Sequence, residues 1–201
     1  MKDSKEISLF IDTATKAFSI GGKKGNTVAK FDLGNPKKAL ERTHLGISLV
    51  CEALSIELKD VDSFYCLLGP GSNTGIRLGL TIPKTIYALN PSIKMYGIKT
   101  MDLFTINNLY ACLSDRNGNL FYANKKDDVV TYERIDKADI SSKILADTIV
   151  VEDKDEMAIS ELEGKNLIKI NVLNEMMSHA DAFVDFSKDE ENYLPEYILK
   201  I

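Results

Sequence analysis

The chain begins with short apolar runs that alternate with turn residues. Residues 8–11, 17–21 and 27–31 are apolar or β-branched, and steps such as Gly21-Gly22 and Gly25-Asn26 separate them. Runs of this length bounded by glycine are typical of strands joined by tight turns. The pattern therefore predicts three antiparallel strands.

The period of the pattern then changes. Residues 39–58 and 75–89 repeat apolar positions every three or four residues, which predicts two helices. Residues 61–68 and 93–98 are nearly continuous apolar runs, which are typical of buried strands. The order of predicted elements up to this point is βββαβαβ.

A similar order begins again near residue 105. Strands are predicted at residues 109–114, 118–123 and 128–134. Weaker helical patterns follow, and two further strands are predicted at 148–151 and 167–170. Two βββαβαβ lobes are the building plan of the actin-like ATPase (ASKHA, ribonuclease H-like) fold. We therefore predict an α/β protein with an N-terminal actin-like lobe at 1–104 and a smaller, truncated lobe at 105–201, whose end packs back on the first lobe.

Both predicted helices of the first lobe carry more apolar surface than one core requires. At about 100° per residue, each has two apolar stripes on different sides of the helix. Gly75 and Gly79 lie beside one stripe, where glycines four apart allow a second helix to approach closely. Burial inside the chain and contact with a partner explain the second stripe about equally well. Pro83 should kink or restart the second helix.

The composition is that of a globular protein, with 44% hydrophobic and 27% charged residues and a net charge of −5. The charge is divided unevenly: residues 1–113 carry 14 basic and 10 acidic side chains, and residues 114–201 carry 11 and 20. An acidic second lobe is a poor RNA-binding surface, so any RNA is expected to be held mostly by a partner. With no apolar run long enough to span a membrane, the cytoplasm is the expected location. Cys51, Cys66 and Cys112 are predicted to be buried thiols.

The segment Gly69-Pro70-Gly71-Ser72-Asn73-Thr74-Gly75 joins a predicted strand to a predicted helix. Loops of this kind often hold phosphates, because free backbone N–H groups and the positive helix end face the same space. Here Thr74 is placed to cap the helix. The spacing fits neither a Walker A loop nor the dinucleotide fingerprint, whose third glycine is missed by one position.

Residues 69–80 resemble the glycine-rich loop and helix of the TsaB (YeaZ) family, G-P-G-S-F-T-G-L-R-x-G-L, with departures at Asn73 and Ile76. Further blocks are similar to that family in the same order: residues 9–20, Arg42 with His44, the hairpin 115–122, and Pro195 with Tyr197.

The resemblance implies a catalytically silent subunit that binds and activates TsaD in the formation of N6-threonylcarbamoyladenosine at position 37 of tRNAs reading ANN codons. TsaD would pair with the two helices of the first lobe, the ATPase TsaE would join the complex, and tRNA would be contacted only indirectly. ATP, magnesium and metal would belong to the partner subunits, and the chain alone would form a homodimer or stay monomeric. The implied interface residues are Arg42, His44, Leu45, Ser48, Leu49, Glu52, Gly75, Leu78, Gly79 and Ile82.

The residues themselves supply little chemistry. Asp12 ends the first strand, where active actin-like ATPases have an acidic residue followed by a glycine that admits the phosphate, but Ala14 occupies the place of that glycine. An aspartate capping the next turn outweighs a metal-binding acid at this position. The candidates for a vestigial phosphate loop are Asp12, Thr13, Gly71, Ser72, Thr74 and Arg77.

No catalytic or metal-binding set is predicted. His44 and His179 have no second ligand at metal-binding spacing, and Ser72 lacks a nucleophile elbow. Asn117-Gly118 predicts a type I′ turn, and the acidic run 152–156 predicts a solvated loop or helix start.

Two other functions stay open from the sequence. One is an active small-molecule kinase or carbamoyltransferase of the same fold, which would use Asp12, the 69–75 loop and Arg77. The other is a self-contained homodimeric binding protein that needs no partner.

Overall fold

A computed structural model describes residues 6–34 and 38–196 of the chain, without the side chain of residue 190. The predicted residue Tyr197 lies outside this part. Within the described residues, no helix is both long and apolar enough to cross a membrane.

The first lobe contains a sheet whose two central strands are fully buried. Its elements are β1 (Ile7–Asp12), β2 (Ser19–Lys24), β3 (Thr27–Asp32), α1 (Ala39–Leu54), β4 (Ser63–Leu67), α2 (Asn73–Leu89) and β5 (Lys94–Ile98). All six residues of β1 are buried, and so are all five of β4. β1 pairs in parallel with β4 and β4 with β5, while β2 and β3 continue the sheet antiparallel on the other side. The βββαβαβ prediction is confirmed.

The second lobe repeats this plan with shorter helices. It contains β6 (Tyr110–Ser114), β7 (Leu120–Lys126), β8 (Val129–Ile135), α4 (Ile140–Lys143), β9 (Thr148–Glu152), α5 (Glu156–Glu161) and β10 (Asn166–Ile170), after the connecting helix α3 (Thr100–Phe104). Its strand order, β10-β9-β6-β7-β8, repeats the order β5-β4-β1-β2-β3 of the first lobe. Because α4 has 4 residues and α5 has 6, where α1 has 16 and α2 has 17, this lobe is truncated in its helices.

Helices cover both faces of the first sheet. α1 packs on one face, where a methyl group at Gly22 would meet the side chains of Val50 and Leu54. On the opposite face lies α6 (Val172–Ser178), whose Leu173 is close to Gly21. An aromatic stack of Phe10, Tyr65 and Tyr96 runs across three strands, with ring centroids 4.6 Å apart at each step.

The end of the chain returns to the first lobe. The short strand β11 (Val184–Asp185) pairs antiparallel with β5 at the edge of the first sheet. Tyr193 is fully buried against this sheet, and the backbone N–H of Glu196 donates to the carbonyl of Leu68 at 2.7 Å. The larger hydrophobic core therefore contains residues from both halves of the chain.

Some predicted boundaries and caps were wrong. The first helix ends at Leu54 rather than residue 58, because Ser55 adopts a left-handed conformation with φ of 50° and closes the helix end. The second helix begins at Asn73, and its cap is Ser72 rather than Thr74, since the Ser72 hydroxyl accepts the N–H of Gly75 at 3.3 Å.

The second helix does not restart at Pro83, because α2 continues through it, and a kink there stays a prediction. Proline cannot donate to the carbonyl of the residue four positions earlier, here Gly79. The Cys66 thiol donates to that carbonyl instead, at 3.5 Å. Burial raises the pKa of this thiol to about 12, so the S–H donor is retained at neutral pH.

The type I′ prediction at Asn117-Gly118 was wrong because only Gly118 has a positive φ there. Asp127 and Asp128, between β7 and β8, are the adjacent pair with φ values of 50° and 60° that such a turn requires.

Candidate functional site

A cleft of about 1050 Å³ lies between the two lobes. The end of β1, the 69–75 loop and the β6–β7 hairpin line it, together with Arg134 of β8 and Glu196 near the chain end. Three loops meet at this cleft, so their backbone donors decide what it can hold.

Asp12 closes the turn that follows β1. Its carboxylate accepts the backbone N–H groups of Ala14 and Thr15, each at 3.0 Å, and also bonds to the Thr15 hydroxyl. The side chain has no exposure to solvent. The interpretation of Asp12 as a turn-capping residue is confirmed.

Glu152, at the end of β9 in the second lobe, completes the same turn by direct contact from that lobe. Its carboxyl oxygens accept the backbone N–H of Lys16 at 2.9 Å and that of Ala17 at 2.5 Å. This residue was not among the predicted site residues, because the run 152–156 was interpreted as a solvated loop or helix start. Glu152 and Asp155 are fully buried, so that part of the prediction was wrong. The available signal was the apolar run Ile149–Val151, whose burial continues into Glu152.

Burial makes both carboxyl groups harder to ionise. It raises the pKa of Asp12 to about 6, although hydrogen bonds from Thr15 and Ala14 oppose this effect. Burial and the nearby charge of Asp12 raise the pKa of Glu152 to about 8. Burial therefore opposes full ionisation of this pair.

The 69–75 loop packs directly on the turn after β1. The N–H of Ser72 donates to the carbonyl of Ala14 at 2.8 Å, and the Thr13 hydroxyl donates to the carbonyl of Gly75 at 2.7 Å. A methyl group on Gly71 would lie 2.5 Å from the Ala14 carbonyl oxygen, and one on Gly75 only 1.7 Å from that of Thr13. Glycine is required here for close contact between two parts of the chain.

In the second lobe, aspartate side chains hold the loops by accepting backbone N–H groups, as Asp12 does in the first lobe. Asp115 accepts the backbone N–H groups of Asn117 at 2.7 Å and Asn119 at 3.0 Å, and it pairs with Arg134 at 2.8 Å. Asp155 caps α5 and accepts both the N–H and the hydroxyl of Ser114 at 2.6 Å. The prediction of a helix start within the run 152–156 is confirmed.

All the vestigial phosphate-loop candidates except Asp12 line the cleft. Asp12 and Thr13 are buried, Gly71 and Ser72 are half-buried, and Thr74 and Arg77 are exposed. Within the described residues, no group of three or more histidine, cysteine or acidic side chains is placed to hold a metal ion.

The predicted interface residues divide into two groups. Arg42, His44, Leu45, Ser48 and Glu52 are exposed on α1. Leu49, Leu78 and Ile82 are half-buried, and Ile82 packs against the larger hydrophobic core.

Gly75 and Gly79 were predicted to lie in the interface, and the structure corrects that prediction. A methyl group on Gly79 would lie 2.6 Å from the Thr13 hydroxyl, and Gly75 packs on the same residue. Their spacing therefore serves the packing of α2 on the end of β1 rather than the approach of a second helix.

No protein-family model matches the chain, and no curated protein matches it either. Two solved structures are similar over almost the whole length. One is the crystal structure of an uncharacterized protein with similarity to peptidase YEAZ from Pseudomonas aeruginosa, at 14% identity and a TM-score of 0.67, with 96% of this chain and 100% of that chain covered. The other is YeaZ from Pseudomonas aeruginosa, at 14% identity and a TM-score of 0.66, with 96% and 99% covered. The chain thus has the two-lobed, actin-like fold of the YeaZ structures.

Proposed function

We propose that this chain is a non-catalytic subunit of the TsaB type, which binds TsaD and activates it in the formation of threonylcarbamoyladenosine in tRNA. The YeaZ-like fold and the loop and helix at residues 69–80 support the proposal together. TsaE would join through this complex, tRNA would be held by the partner, and the assembly would work in the cytoplasm.

The proposal that the chain is non-catalytic rests on the hydrogen bonds of the turn after β1. Four consecutive backbone N–H groups, those of residues 14–17, donate to the carboxyl groups of Asp12 and Glu152. A phosphate at this turn would need those donors, and it would also meet the negative charge of the carboxyl pair. The chain itself thus occupies the anion site, and we assign ATP, magnesium and metal to the partner subunits.

The proposal that the chain binds a partner rests on apolar residues at the surface of α1 and α2. α1 buries Ile47, Val50 and Leu54 against the first sheet but leaves Leu45 49% exposed. Leu49, Leu78 and Ile82 are only half-buried. α1 and α2 lie on the same face of the sheet. Gly22, which contacts α1, pairs with Leu9 of β1, and Gly79 of α2 approaches Ile11 of the same strand. Leu9 and Ile11 are two positions apart, so they point to the same face. Leu45 and Leu49 of α1 and Leu78 of α2 are therefore our candidates for one partner surface, whereas Ile82 packs against the core of the chain itself.

Light scattering after size exclusion tests the interface. Wild-type chain is mixed with TsaD from the same organism and compared with Leu45→Arg and with the control Leu145→Arg, whose leucine is 76% exposed in the second lobe. We expect a mixed complex with wild type and with the control, and loss of that complex with Leu45→Arg while its thermal unfolding is unchanged. Complex formation by all three chains would contradict the proposed interface, and failure of the wild type to bind would contradict the proposed function.

The rival function, a kinase or carbamoyltransferase, has its own assay. Magnesium and ATP would raise the unfolding temperature of an active enzyme, because a ligand that binds only the folded state stabilises it. We expect no such rise for this chain.

A further inference from the structure

One carboxyl group of the second lobe is held by two consecutive backbone N–H groups of the first. The N–H of Lys16 donates to one oxygen of Glu152 at 2.9 Å, and that of Ala17 donates to the other oxygen at 2.5 Å. Successive N–H groups of a turn that point at one place form a binding site for an oxyanion. Glu152 therefore fills this site as a bound acetate would, except that it is attached to the chain.

The first lobe fixes the shape of this site without Glu152. On the N-terminal side, Asp12 accepts the N–H groups of residues 14 and 15, each at 3.0 Å. On the C-terminal side, the carbonyl of Ala17 accepts the N–H of Gly34 at 3.0 Å. Because its own lobe holds the turn on both sides, we expect the two N–H groups to keep their direction when the carboxyl group is removed.

Removal of the carboxyl group would leave these donors without an acceptor. A buried N–H group without a partner is unfavourable, so the site would then favour any other acceptor that fits it. Glu152 is fully buried, whereas Lys16 lines the cleft. The cleft is therefore the route by which a small molecule would reach the vacated place.

We propose that the turn at residues 14–17 is a carboxylate-binding site whose ligand, the side chain of Glu152, is supplied by the second lobe. This tethered ligand fastens the second lobe to the first and closes the site to external oxyanions. The inference rests on the proposed function, whose non-catalytic part it deepens by naming the side chain that takes the place of a ligand. Its test uses neither nucleotide nor TsaD, so the two proposals can fail separately.

The tethered ligand also supports the helix that is proposed to bind the partner. In the same turn, the carbonyl of Ala14 accepts the N–H of Ser72 at 2.8 Å, and Ser72 caps α2. The second lobe thus holds the start of α2 through the turn.

Replacement of the tethered ligand by free acetate tests the proposal. Glu152→Ala removes a CH₂–COO⁻ group, and acetate has the same heavy atoms. We expect sodium acetate at pH 7 to raise the unfolding temperature of Glu152→Ala relative to sodium chloride at the same ionic strength. At ten times its dissociation constant, acetate lowers the unfolding equilibrium constant about elevenfold, which is a rise of about 3–6 °C for a chain of this size. The amide signals of Lys16 and Ala17 in NMR spectra should shift with the same dependence on acetate.

Two variants are the controls. Glu152→Gln fills the same space and leaves no room for acetate, so we expect acetate to affect it no more than it affects wild type. Glu156→Ala removes an exposed carboxyl group from the same acidic run and should behave like wild type as well.

Equal effects of acetate on Glu152→Ala and on both controls would overturn the proposal. So would a folded Glu152→Ala whose Lys16 and Ala17 signals do not move with acetate. If Glu152→Ala is unfolded in chloride, the proposal predicts that it folds in acetate, as measured by circular dichroism, and a chain that is unfolded in both salts would contradict it.

Discussion

Replacement of Gly75 by alanine tests the close contact between the 69–75 loop and the end of β1. The added methyl carbon would lie 1.7 Å from the carbonyl oxygen of Thr13, where ordinary contact begins at 3.4 Å. Both atoms belong to or are fixed by the backbone, so α2 and the end of β1 must separate by more than 1 Å.

That separation breaks two hydrogen bonds. These are the bond from Ser72 N–H to the Ala14 carbonyl, at 2.8 Å, and the bond from the Thr13 hydroxyl to the Gly75 carbonyl, at 2.7 Å. Each contributes about 1 kcal/mol, and overpacking adds about 1–3 kcal/mol. Alanine returns about 1 kcal/mol through its higher helix propensity. The net loss in the free energy of unfolding is therefore about 2–4 kcal/mol.

Urea unfolding monitored by circular dichroism measures this loss. With a slope of about 2 kcal/mol per molar urea, the midpoint of Gly75→Ala should fall by about 1–2 M. Thr74→Ala is the matched control: it is the neighbouring exposed position in the same helical turn, and we expect its midpoint to change little. If Gly75→Ala unfolds at the wild-type urea concentration, the loop does not pack on β1 as described.

Two further predictions concern the chain end and the thiols. Tyr193 is fully buried on the first sheet, so Tyr193→Ala should lower the free energy of unfolding by about 3–5 kcal/mol in urea titrations, whereas Leu194→Ala, at an exposed neighbour, should change it by less than about 0.5 kcal/mol. In the folded protein a thiol reagent should modify Cys51, which is partly exposed, and spare Cys66 and Cys112, whose pKa values burial raises. All three should react in urea; fast reaction of Cys66 in the folded state would contradict its role as a donor to α2.

Much of the fold was predictable because local patterns and the global plan agree. The strands of both lobes, the two long helices and the repeated order follow from apolar periodicity and glycine turns. The helix end at Ser55 was not predictable, since a left-handed serine at a helix end has no strong sequence signal. The continuation of α2 through Pro83 was not predictable, because the compensating donor, Cys66, lies on another element.

The site was predictable only where its contacts are local. Asp12 caps its own turn, and the sequence analysis assigned that role correctly. Glu152 meets the same turn from the other lobe, and its acidic neighbours made it resemble part of a solvated run. Gly75 and Gly79 suggested a helix partner, because spacing alone does not distinguish a contact with Thr13 from a contact with another chain.

Reconstitution of threonylcarbamoyl transfer tests the central proposal most directly. Threonylcarbamoyl-adenylate and tRNA are incubated with TsaD alone, with this chain alone, and with both, and the modified adenosine is measured by mass spectrometry. The account predicts modified adenosine only when both proteins are present, and no turnover of ATP or threonylcarbamoyl-adenylate by this chain alone. Turnover by the isolated chain, or full activity of TsaD without it, would contradict the account.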